Sequence, residues 1–250
     1  MTKTVDMESV TVLNTPCILT DSARLTAALE DHCSGCEREA ISVDFTNVHI
    51  VAMRTEDEEF YATTSNVDWF VSDSQVLTWA ISWLGGKNHA RVYGPAFLDY
   101  FVKHADEKLT HYFLGGSQEC LEKLLEKLRY LKPELRIVGS QNGYFGSMDE
   151  AEILSGINSK SPDILWVGLG TPKQQQWISR MKSELRVGAA LAVGFAFDVN
   201  AGTKKDAPRW LGKMGLTWLY RFACEPRRLW HRYAHYNTLF VRLLLLQLRR

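Results

Sequence analysis

The sequence lacks the features of secreted, disulfide-rich and membrane-spanning proteins. Its 250 residues contain only 5 cysteines, an odd and scattered set, which argues against a disulfide framework and favours a reducing compartment. No apolar run opens the sequence, so we expect no secretory leader. The apolar segment Leu239–Leu248 contains Arg242 and is too short to span a bilayer. We therefore expect a cytoplasmic protein.

Several motifs that indicate particular chemistries are absent as well. The chain has no Asp-x-Asp pair, no Gly-x-Ser-x-Gly elbow and no His, Cys and Asp set with the spacing of a closed metal site. The run Gly168–Lys173 lacks the third glycine of a dinucleotide fingerprint and the Gly-Lys-Ser/Thr of a P-loop, which disfavours NAD and ATP chemistry. We expect no metal ion, and no cofactor apart from the substrates.

Cys33 and Cys36 are separated by two residues, a spacing that also occurs in zinc and redox sites. No second pair and no flanking redox motif accompanies them. Two ordinary thiols near the end of a helix are the favoured interpretation.

The composition is that of an ordinary globular protein, with 46% hydrophobic and 23% charged residues, and it excludes disordered and collagen-like chains. The 29 basic and 29 acidic residues are unevenly placed, because residues 203–250 carry a net charge of +9 with Asp206 and Glu225 as their only acids. We predict an α/β domain over residues 1–202 and a basic helical appendage over residues 203–250. Such an appendage favours an anionic partner.

Short apolar runs alternate with helical patterns from about residue 41 to residue 200. The predicted strands are Ile41–Phe45, Trp69–Ser72, Arg91–Tyr93, Tyr112–Leu114, Arg136–Val138, Ile164–Gly168 and Ala190–Phe195. Amphipathic helices are predicted between them, for example over Ser117–Leu131 and Asp149–Ser159. This alternation predicts a mostly parallel sheet with helices on both faces, whose ligands bind beyond the carboxyl ends of the strands.

After Gly202 the pattern is purely helical. Asp206 is a candidate N-cap with Pro208 in the first turn, and a second helix is predicted from Pro226. One side of that second helix carries Leu229, Tyr233, Tyr236, Phe240, Leu243 and Leu244, and another carries Arg228, Arg232, His235, Arg242 and Arg249. Such a helix can lie in the headgroup region of a membrane or pack on its own domain or on another subunit. The residues leave both interpretations open.

Three glycine-rich corners follow predicted strands, at Leu114–Ser117, Gly139–Gly146 and Val167–Gln174. Glycine allows the backbone to approach a ligand closely, and a helix that begins beside it offers free N–H groups to phosphate. Three such corners in one domain favour a nucleotide or nucleotide-sugar site.

Asp73 directly follows the predicted strand Trp69–Ser72, which places a carboxylate at the mouth of the sheet. It is suited to accept a proton, although capping the helix over residues 74–84 would explain it equally well. Thr46 and Asn47 close an earlier strand in the same way, and Asp198 follows the predicted strand Ala190–Phe195.

Together these residues resemble the WecG/TagA/CpsF family, glycosyltransferase family 26, from about Val10 to Tyr233. Val167–Trp177, Gly194–Trp210 and Gly215–Tyr233 look like the family's Gly-x-Pro-Lys-Gln-Glu-x-Trp stretch, its next block and its C-terminal signature. Thr46-Asn47 and Asp73 look like its Thr-Asn and Asp-Gly positions. Ser74 and Gln175 stand where the family usually has Gly and Glu.

The resemblance implies a Rossmann-like fold of the GT-E type whose C-terminal appendage completes the site and touches the membrane. It implies a metal-independent, inverting transfer of a sugar from a UDP-sugar donor to a polyprenyl-diphosphate-linked saccharide, in bacterial surface or exopolysaccharide assembly. The protein would then be peripheral on the inner face of the cell membrane, with an anionic membrane surface as partner. Nucleic acid is not an expected partner, and a homo-oligomer stays open.

We assign catalytic roles to Asp73, as the base, and to Thr46 and Gln174. Substrate-binding roles are expected for Asn47, Arg91, Gly94, Gly115, Gly116, Tyr144, Gly168, Gly170, Lys173, Asp198, Arg221, Arg227 and Arg228. Arginines can stabilise the charge that develops on a leaving UDP. For Arg227 and Arg228, a solvated basic face or contact with lipid headgroups is the open alternative.

Three other functions are weighed against this one. A member that binds UDP-sugar or lipid-saccharide but has lost activity is the main alternative, because of Ser74 and Gln175. An NAD-dependent oxidoreductase is disfavoured by the missing glycine fingerprint. A nucleic-acid binder is disfavoured because the leucine-rich tail has no recognised motif.

Overall fold

The computed structural model describes residues 7–35 and 39–249, which form an α/β structure. The strands are β1 Ser9–Val12, β2 Thr15–Ile18, β3 Ile41–Thr46, β4 Trp69–Ser72, β5 Thr110–Gly115, β6 Arg136–Gln141, β7 Ile164–Gly168 and β8 Ala189–Ala192. The helices are α1 Ser22–Ser34, α2 Val48–Glu56, α3 Glu58–Thr63, α4 Gln75–Gly85, α5 Gly94–His104, α6 Gln118–Leu131, α7 Glu150–Lys160, α8 Lys173–Met181, α9 Ala196–Ala201, α10 Arg209–Lys213, α11 Thr217–Cys224 and α12 Pro226–Gln247. The predicted fold class is confirmed.

The strands form one sheet in the order β1-β2-β4-β3-β8-β7-β5-β6. All neighbouring pairs are parallel except β1 and β2, which form an antiparallel hairpin. β5 leads to β6 on one side, whereas β7 leads to β8 on the other. The chain therefore diverges between β5 and β7, which is where open α/β sheets form a ligand crevice.

The helices bury apolar side chains against both faces of the sheet. In α6, for example, Leu121, Leu124 and Leu128 recur at helical spacing and are buried, because that side of the helix faces the sheet. The Ser117 hydroxyl accepts the Cys120 N–H at 3.1 Å and so fixes the start of this helix. The central strands are buried on both faces, as parallel strands with helices on both sides must be.

The C-terminal helix α12 packs on the α/β part of the protein. Phe240 and Leu244 are buried in a cluster with Val12, Cys17 and Phe70. The Gln247 side chain accepts the Leu13 N–H at 2.8 Å and donates to the Thr11 carbonyl at 3.0 Å, which joins the end of α12 to the β1–β2 hairpin. The apolar side predicted from the sequence therefore covers the protein's own core.

The predicted basic side of α12 does not form one surface. Arg232 lines a pocket, His235 contacts Glu56 at 2.7 Å, and Arg242 is exposed. Other apolar residues of this helix remain exposed, among them Trp230 and Leu245. Within the described part of the chain, no helix combines the length and apolar character that crossing a bilayer requires.

Several predicted elements are wrong in detail. Arg91–Tyr93 is irregular, with a single bond from the Val92 N–H to the Ser72 carbonyl beside β4. β8 ends at Ala192, because the chain turns towards α9 before Phe195. The hairpin of β1 and β2 was not predicted, since its strands have only 4 residues each and include Pro16.

The helices of the appendage also differ from the prediction. Asp206 does not cap α10, which begins after Pro208, and instead accepts a hydrogen bond from the Tyr93 hydroxyl at 2.5 Å. The helical spacing from Trp210 to Phe222 is divided between α10 and α11. Gly215, with φ +72°, makes the turn between them because a left-handed backbone is readily available to glycine.

Candidate active site

A pocket of about 730 Å³ opens at the carboxyl ends of the strands, under the appendage. It contains many of the residues singled out from the sequence. Those that line it are Asn47, Asp73, Gly116, Tyr144, Gly168, Gly170, Lys173, Gln174, Asp198, Arg221 and Arg228. The tertiary structure thus brings together residues from both halves of the chain.

The glycine-rich corners lie against one another at one side of this pocket. Gly115 and Gly168 are paired at the ends of β5 and β7, and a Cβ atom on Gly115 would lie 2.4 Å from the Gly168 carbonyl carbon. Gly115 has φ +137°, so both space and backbone geometry require glycine there. The Gly143 N–H donates to the Gly116 carbonyl at 2.8 Å, which ties in the third corner.

Asp73 lines the pocket directly after β4. Its Oδ1 accepts a hydrogen bond from the Gly94 N–H at 2.7 Å. Among the described residues, the Asp73 carboxylate has no other hydrogen-bond partner. Burial raises the pKa of Asp73, while Arg91, the Gly94 N–H and Arg221 act in the opposite direction. A carboxylate with a raised pKa is a better proton acceptor at neutral pH.

The helix-cap interpretation of Asp73 is wrong. The cap of α4 is Ser74, whose hydroxyl accepts the Leu77 N–H at 3.4 Å. Ser74 has φ −103° and ψ 143°, an extended conformation that any residue adopts. The serine at this position therefore introduces no backbone strain beside Asp73.

The backbone around Asp73 is held by the segment that precedes α5. The Arg91 side chain donates from Nε to the Asp73 carbonyl at 2.5 Å, and its guanidinium lies 4.1 Å from the Tyr93 ring centroid. Tyr93 lines the pocket and bonds Asp206. Arg91 thus binds the backbone of Asp73 and Gly94 binds its carboxylate, and neither of them lines this pocket. Tyr93 does line the pocket and was not predicted from the sequence.

Asn47 and Gln174 present amide groups to the pocket. Asn47 caps α2, because its Oδ1 accepts the His49 N–H at 3.0 Å, so the NH₂ end of its amide is the part that can serve a ligand. Gln174 is only 3% exposed, and its Oε1 accepts the Gly170 N–H at 3.2 Å. Both side chains are held by the protein in a fixed orientation.

Thr46 does not line the pocket. It is fully buried and its hydroxyl donates a short hydrogen bond to the Asp44 carboxylate. Gln175 approaches the same carboxylate from α8, with its Nε2 2.7 Å from Asp44 Oδ2. Burial raises the pKa of Asp44 to about 6, against the effect of the Thr46 and Gln175 hydrogen bonds. Gln175 thus acts in the interior, not at the pocket surface.

We expect Gln175→Glu to destabilise the protein in a pH-dependent way. At pH 8 the new carboxylate would face Asp44 without a proton between them, at a cost of about 1–3 kcal/mol in the free energy of unfolding. Carboxyls whose folded-state pKa is raised destabilise the fold progressively as pH rises through that pKa. The decrease in the free energy of unfolding should therefore be smaller at pH 5, where the two carboxyls share a proton, than at pH 8. Urea unfolding at both pH values measures this.

The exposed neighbour Gln176 provides the control. Gln176→Glu should change the free energy of unfolding by less than about 0.5 kcal/mol at either pH. An equal loss at pH 5 and pH 8 in Gln175→Glu would show that the Asp44–Gln175 contact is not electrostatically important.

Three arginines from the appendage form another wall of the pocket. Arg221 stacks on Phe195 with 3.9 Å between guanidinium carbon and ring centroid, and Arg228 contacts Glu225. Arg232 is partly buried, makes no ion pair with a described carboxylate, and has a buried Nε without a hydrogen-bond partner. Burial, and then the charges of Arg221 and Arg228, lower the pKa of Arg232 to about 10. Such a cationic group is suited to an anionic ligand.

Arg232 was not among the predicted site residues. Its position four residues after Arg228 on one helix was the available signal, because residues at this spacing share a face. Arg227 was predicted as a substrate-binding residue, but it is exposed and does not line the pocket. Cys36 lies outside the described residues, so the structure does not address the Cys33–Cys36 pair.

Lys173 joins the first turn of α8 to the loop before α7. Its Nζ donates to the Gly143 carbonyl at 3.1 Å and lies 4.1 Å from the Phe145 ring centroid. Tyr144, between these two residues, is 82% exposed. Across the described ranges 7–35 and 39–249, no group of three His, Cys, Asp or Glu side chains could hold a metal ion.

The sequence matches, over residues 10–250, the family model described as the glycosyl transferase WecG/TagA/CpsF family. The chain belongs to this family. Its match extends over nearly the whole chain, including the appendage that carries Arg221, Arg228 and Arg232. The predicted resemblance and the predicted enzyme class, a glycosyltransferase, are confirmed.

Two curated relatives are similar to this glycosyltransferase at low identity. Both are named N-acetylglucosaminyldiphosphoundecaprenol N-acetyl-beta-D-mannosaminyltransferase. The protein from Bacillus spizizenii is 26% identical over 178 residues, which cover 71% of this chain and 68% of the relative. The protein from Bacillus subtilis strain 168 is 23% identical over 227 residues, which cover 90% of this chain and 87% of the relative.

Proposed function

We propose that this glycosyltransferase moves a sugar from a UDP-sugar to a polyprenyl-diphosphate-linked saccharide, with inversion and without a metal ion. The observation that carries the proposal is that Asp73 and the arginines of the appendage line the same pocket. A base and a group of cations are the two components that such a displacement requires. The names of the two relatives support a lipid-diphosphate acceptor.

In the proposed reaction, Asp73 takes the proton of the acceptor hydroxyl. That oxygen attacks the anomeric carbon, and the bond between this carbon and the UDP oxygen breaks with its electron pair on the diphosphate. A positioned base contributes roughly 10²–10⁴-fold to such a step. Asn47 and Gln174 orient the sugar, and the Thr46 hydroxyl holds the buried Asp44 carboxylate beneath them.

Arg221, Arg228 and Arg232 stabilise the negative charge that develops on the departing diphosphate. Guanidinium groups held in position by the protein are effective in this role because they need little reorganisation. The glycine corners at Gly115, Gly116 and Gly168 allow the nucleotide to approach the backbone. Because both relatives are named as N-acetylmannosaminyltransferases, UDP-N-acetylmannosamine is the first donor to test.

The alternative of a binding protein without activity rests on Ser74 and Gln175. Ser74 caps α4 in an ordinary conformation, and Gln175 bonds Asp44 in the interior. Neither residue removes a group from the pocket that contains Asp73. These contacts favour the active transferase.

The test of the proposed function is UDP release from a panel of UDP-sugars in the presence of EDTA, with and without a lipid-diphosphate N-acetylglucosamine acceptor. We expect release from one donor, dependent on the acceptor. Release that requires a divalent cation would contradict metal independence. The absence of release from every donor, with UDP still bound, would favour the binding protein without activity.

We also propose that the protein is peripheral on the cytoplasmic face of the membrane. Arg242 and Arg249 lie beside Leu245 and Leu246 in one shallow surface groove. Apolar residues flanked by cations are suited to the headgroup region of an anionic bilayer. The excess of +9 in residues 203–250 acts in the same direction.

Removing two of these cations should weaken vesicle binding. Each Lys or Arg near an anionic surface contributes about 1 kcal/mol, so Arg242→Gln with Arg249→Gln should lower the partition coefficient roughly 30-fold. Cosedimentation with phosphatidylserine-containing vesicles measures it. A double variant at Lys103 and Lys123, on helices α5 and α6 of the body, is the control, and an equal loss in both would exclude a specific membrane face.

A further inference from the structure

A small cavity of about 70 Å³ lies beside Asp73, between helix α2 and the appendage. His49, from the first turn of α2, lines it together with Arg232 and Asn237 of α12. Each of these three side chains has a buried polar atom with no hydrogen-bond partner among the described residues, namely His49 Nδ1, Arg232 Nε and Asn237 Oδ1. Buried polar atoms without partners are rare and costly, so three of them around one cavity indicate a common partner.

His49 is held in place by its surroundings. The side chain is only 6% exposed, and its ring packs edge-on against Tyr236 with 4.6 Å between the centroids. Its backbone N–H donates to Asn47 Oδ1 at 3.0 Å. Burial, and then the charge of Arg232, lower the pKa of His49 to about 2, so the imidazole is neutral. In the tautomer that carries the proton on Nε2, Nδ1 is a hydrogen-bond acceptor at a fixed position.

The three atoms around the cavity complement one another. Arg232 Nε carries an N–H donor, whereas His49 Nδ1 and Asn237 Oδ1 are acceptors. One water molecule that accepts from the arginine and donates to the two acceptors satisfies all three atoms, and buried waters typically make about three hydrogen bonds. A polar cavity of roughly 10–15 Å³ already holds one water, and this cavity of about 70 Å³ is large enough.

We propose that His49 and Asn237 hold Arg232 through one bound water molecule, and that His49 is thereby a positioning residue for this arginine. This inference rests on the proposed function, because it identifies what supports a cation that faces the departing diphosphate. The first turn of α2 then has two roles, since Asn47 orients the sugar and His49 fixes the guanidinium. The contact joins the α/β body to the appendage and sets the position of Arg232 relative to Asp73.

Two substitutions at His49 separate positioning from packing. His49→Phe keeps an aromatic ring against Tyr236 but has no acceptor, whereas His49→Asn loses the ring but has an acceptor oxygen at the place of Nδ1 along the side chain. We expect His49→Phe to weaken UDP binding and to lower kcat by about tenfold each, as loss of one hydrogen bond to a charged group requires. His49→Asn should remain within about threefold of the wild type in both quantities, because it restores that bond.

The matched control is His104→Phe, at an exposed position of α5 where the histidine ring stacks on Tyr100 with 4.1 Å between the centroids. It should bind UDP as the wild type does. In an Arg232→Met background, His49→Phe should change the affinity for UDP by less than about twofold, because its effect passes through the arginine. Titration calorimetry gives each dissociation constant. A reversed order, with His49→Phe unaffected and His49→Asn impaired, would assign His49 to packing and overturn the proposal, as would additive losses in the double variant.

The Nε–H resonance of Arg232, assigned in proton–nitrogen NMR spectra by its loss in Arg232→Met, tests the contact without any substrate. Exchange of this proton with solvent should be slow in the wild type and in His49→Asn, and at least about tenfold faster in His49→Phe. This pattern in a protein that releases UDP from no donor would refute the proposed reaction and leave the contact. Transfer to the acceptor together with unchanged exchange and unchanged UDP affinity in His49→Phe would refute the positioning role alone.

Discussion

Asp73→Asn should lower turnover by about 10²–10⁴-fold while leaving the affinity for UDP nearly unchanged. The asparagine retains the shape of the side chain and can still accept the Gly94 N–H through its Oδ1, but it cannot take a proton from the acceptor. The measurement is kcat with the donor and acceptor identified in the UDP-release assay, alongside the dissociation constant for UDP.

The pH dependence of the wild type gives a second view of the same residue. Because burial raises the pKa of Asp73, the acid limb of kcat should lie above the usual range of an aspartate, near 3.9. Turnover should fall as pH decreases through this raised pKa, because the protonated carboxyl cannot accept a proton. Asp99→Asn, on the surface of α5, is the control for an aspartate substitution, and near-wild-type turnover in Asp73→Asn would remove Asp73 from the role of base.

Arg232→Met should lower kcat/KM by about 10²–10³-fold and at the same time raise the melting temperature. Loss of one fixed donor to a developing anion typically costs that much in rate. The unliganded protein, however, holds Arg232 partly buried and without an acidic partner among the described residues. Replacing a poorly compensated charge by an apolar side chain of similar length should therefore stabilise the fold.

The opposite signs of these two effects distinguish a functional cation from a structural one. We expect an increase of at least about 2 °C in Tm, which corresponds to less than 1 kcal/mol for a protein of this size. Arg129→Gln, at an exposed position of α6, should leave both Tm and kcat/KM unchanged. A fall in Tm together with unchanged kcat/KM would identify Arg232 as a structural residue.

The local pattern of apolar and polar residues in the sequence determined most of the secondary structure by itself. β4 and β7 are found within their predicted bounds, and α6 begins one residue after its predicted start. Parallel strands covered on both faces are continuous apolar runs, and surface helices repeat their apolar residues at 3.6-residue spacing. The net charge of +9 in residues 203–250 is likewise a property of the sequence alone.

Contacts between distant segments decided what the sequence could not. The Gly94 N–H binds the Asp73 carboxylate across 21 residues of sequence, and Gln175 binds Asp44 across 131. Arg232 enters the active-site pocket because the buried Phe240 and Leu244 dock α12 on the protein's own core. Periodicity reports which face of a helix is apolar but not what covers that face. That choice depends on the energy of packing and of burying charge across the whole fold, which only the tertiary structure determines.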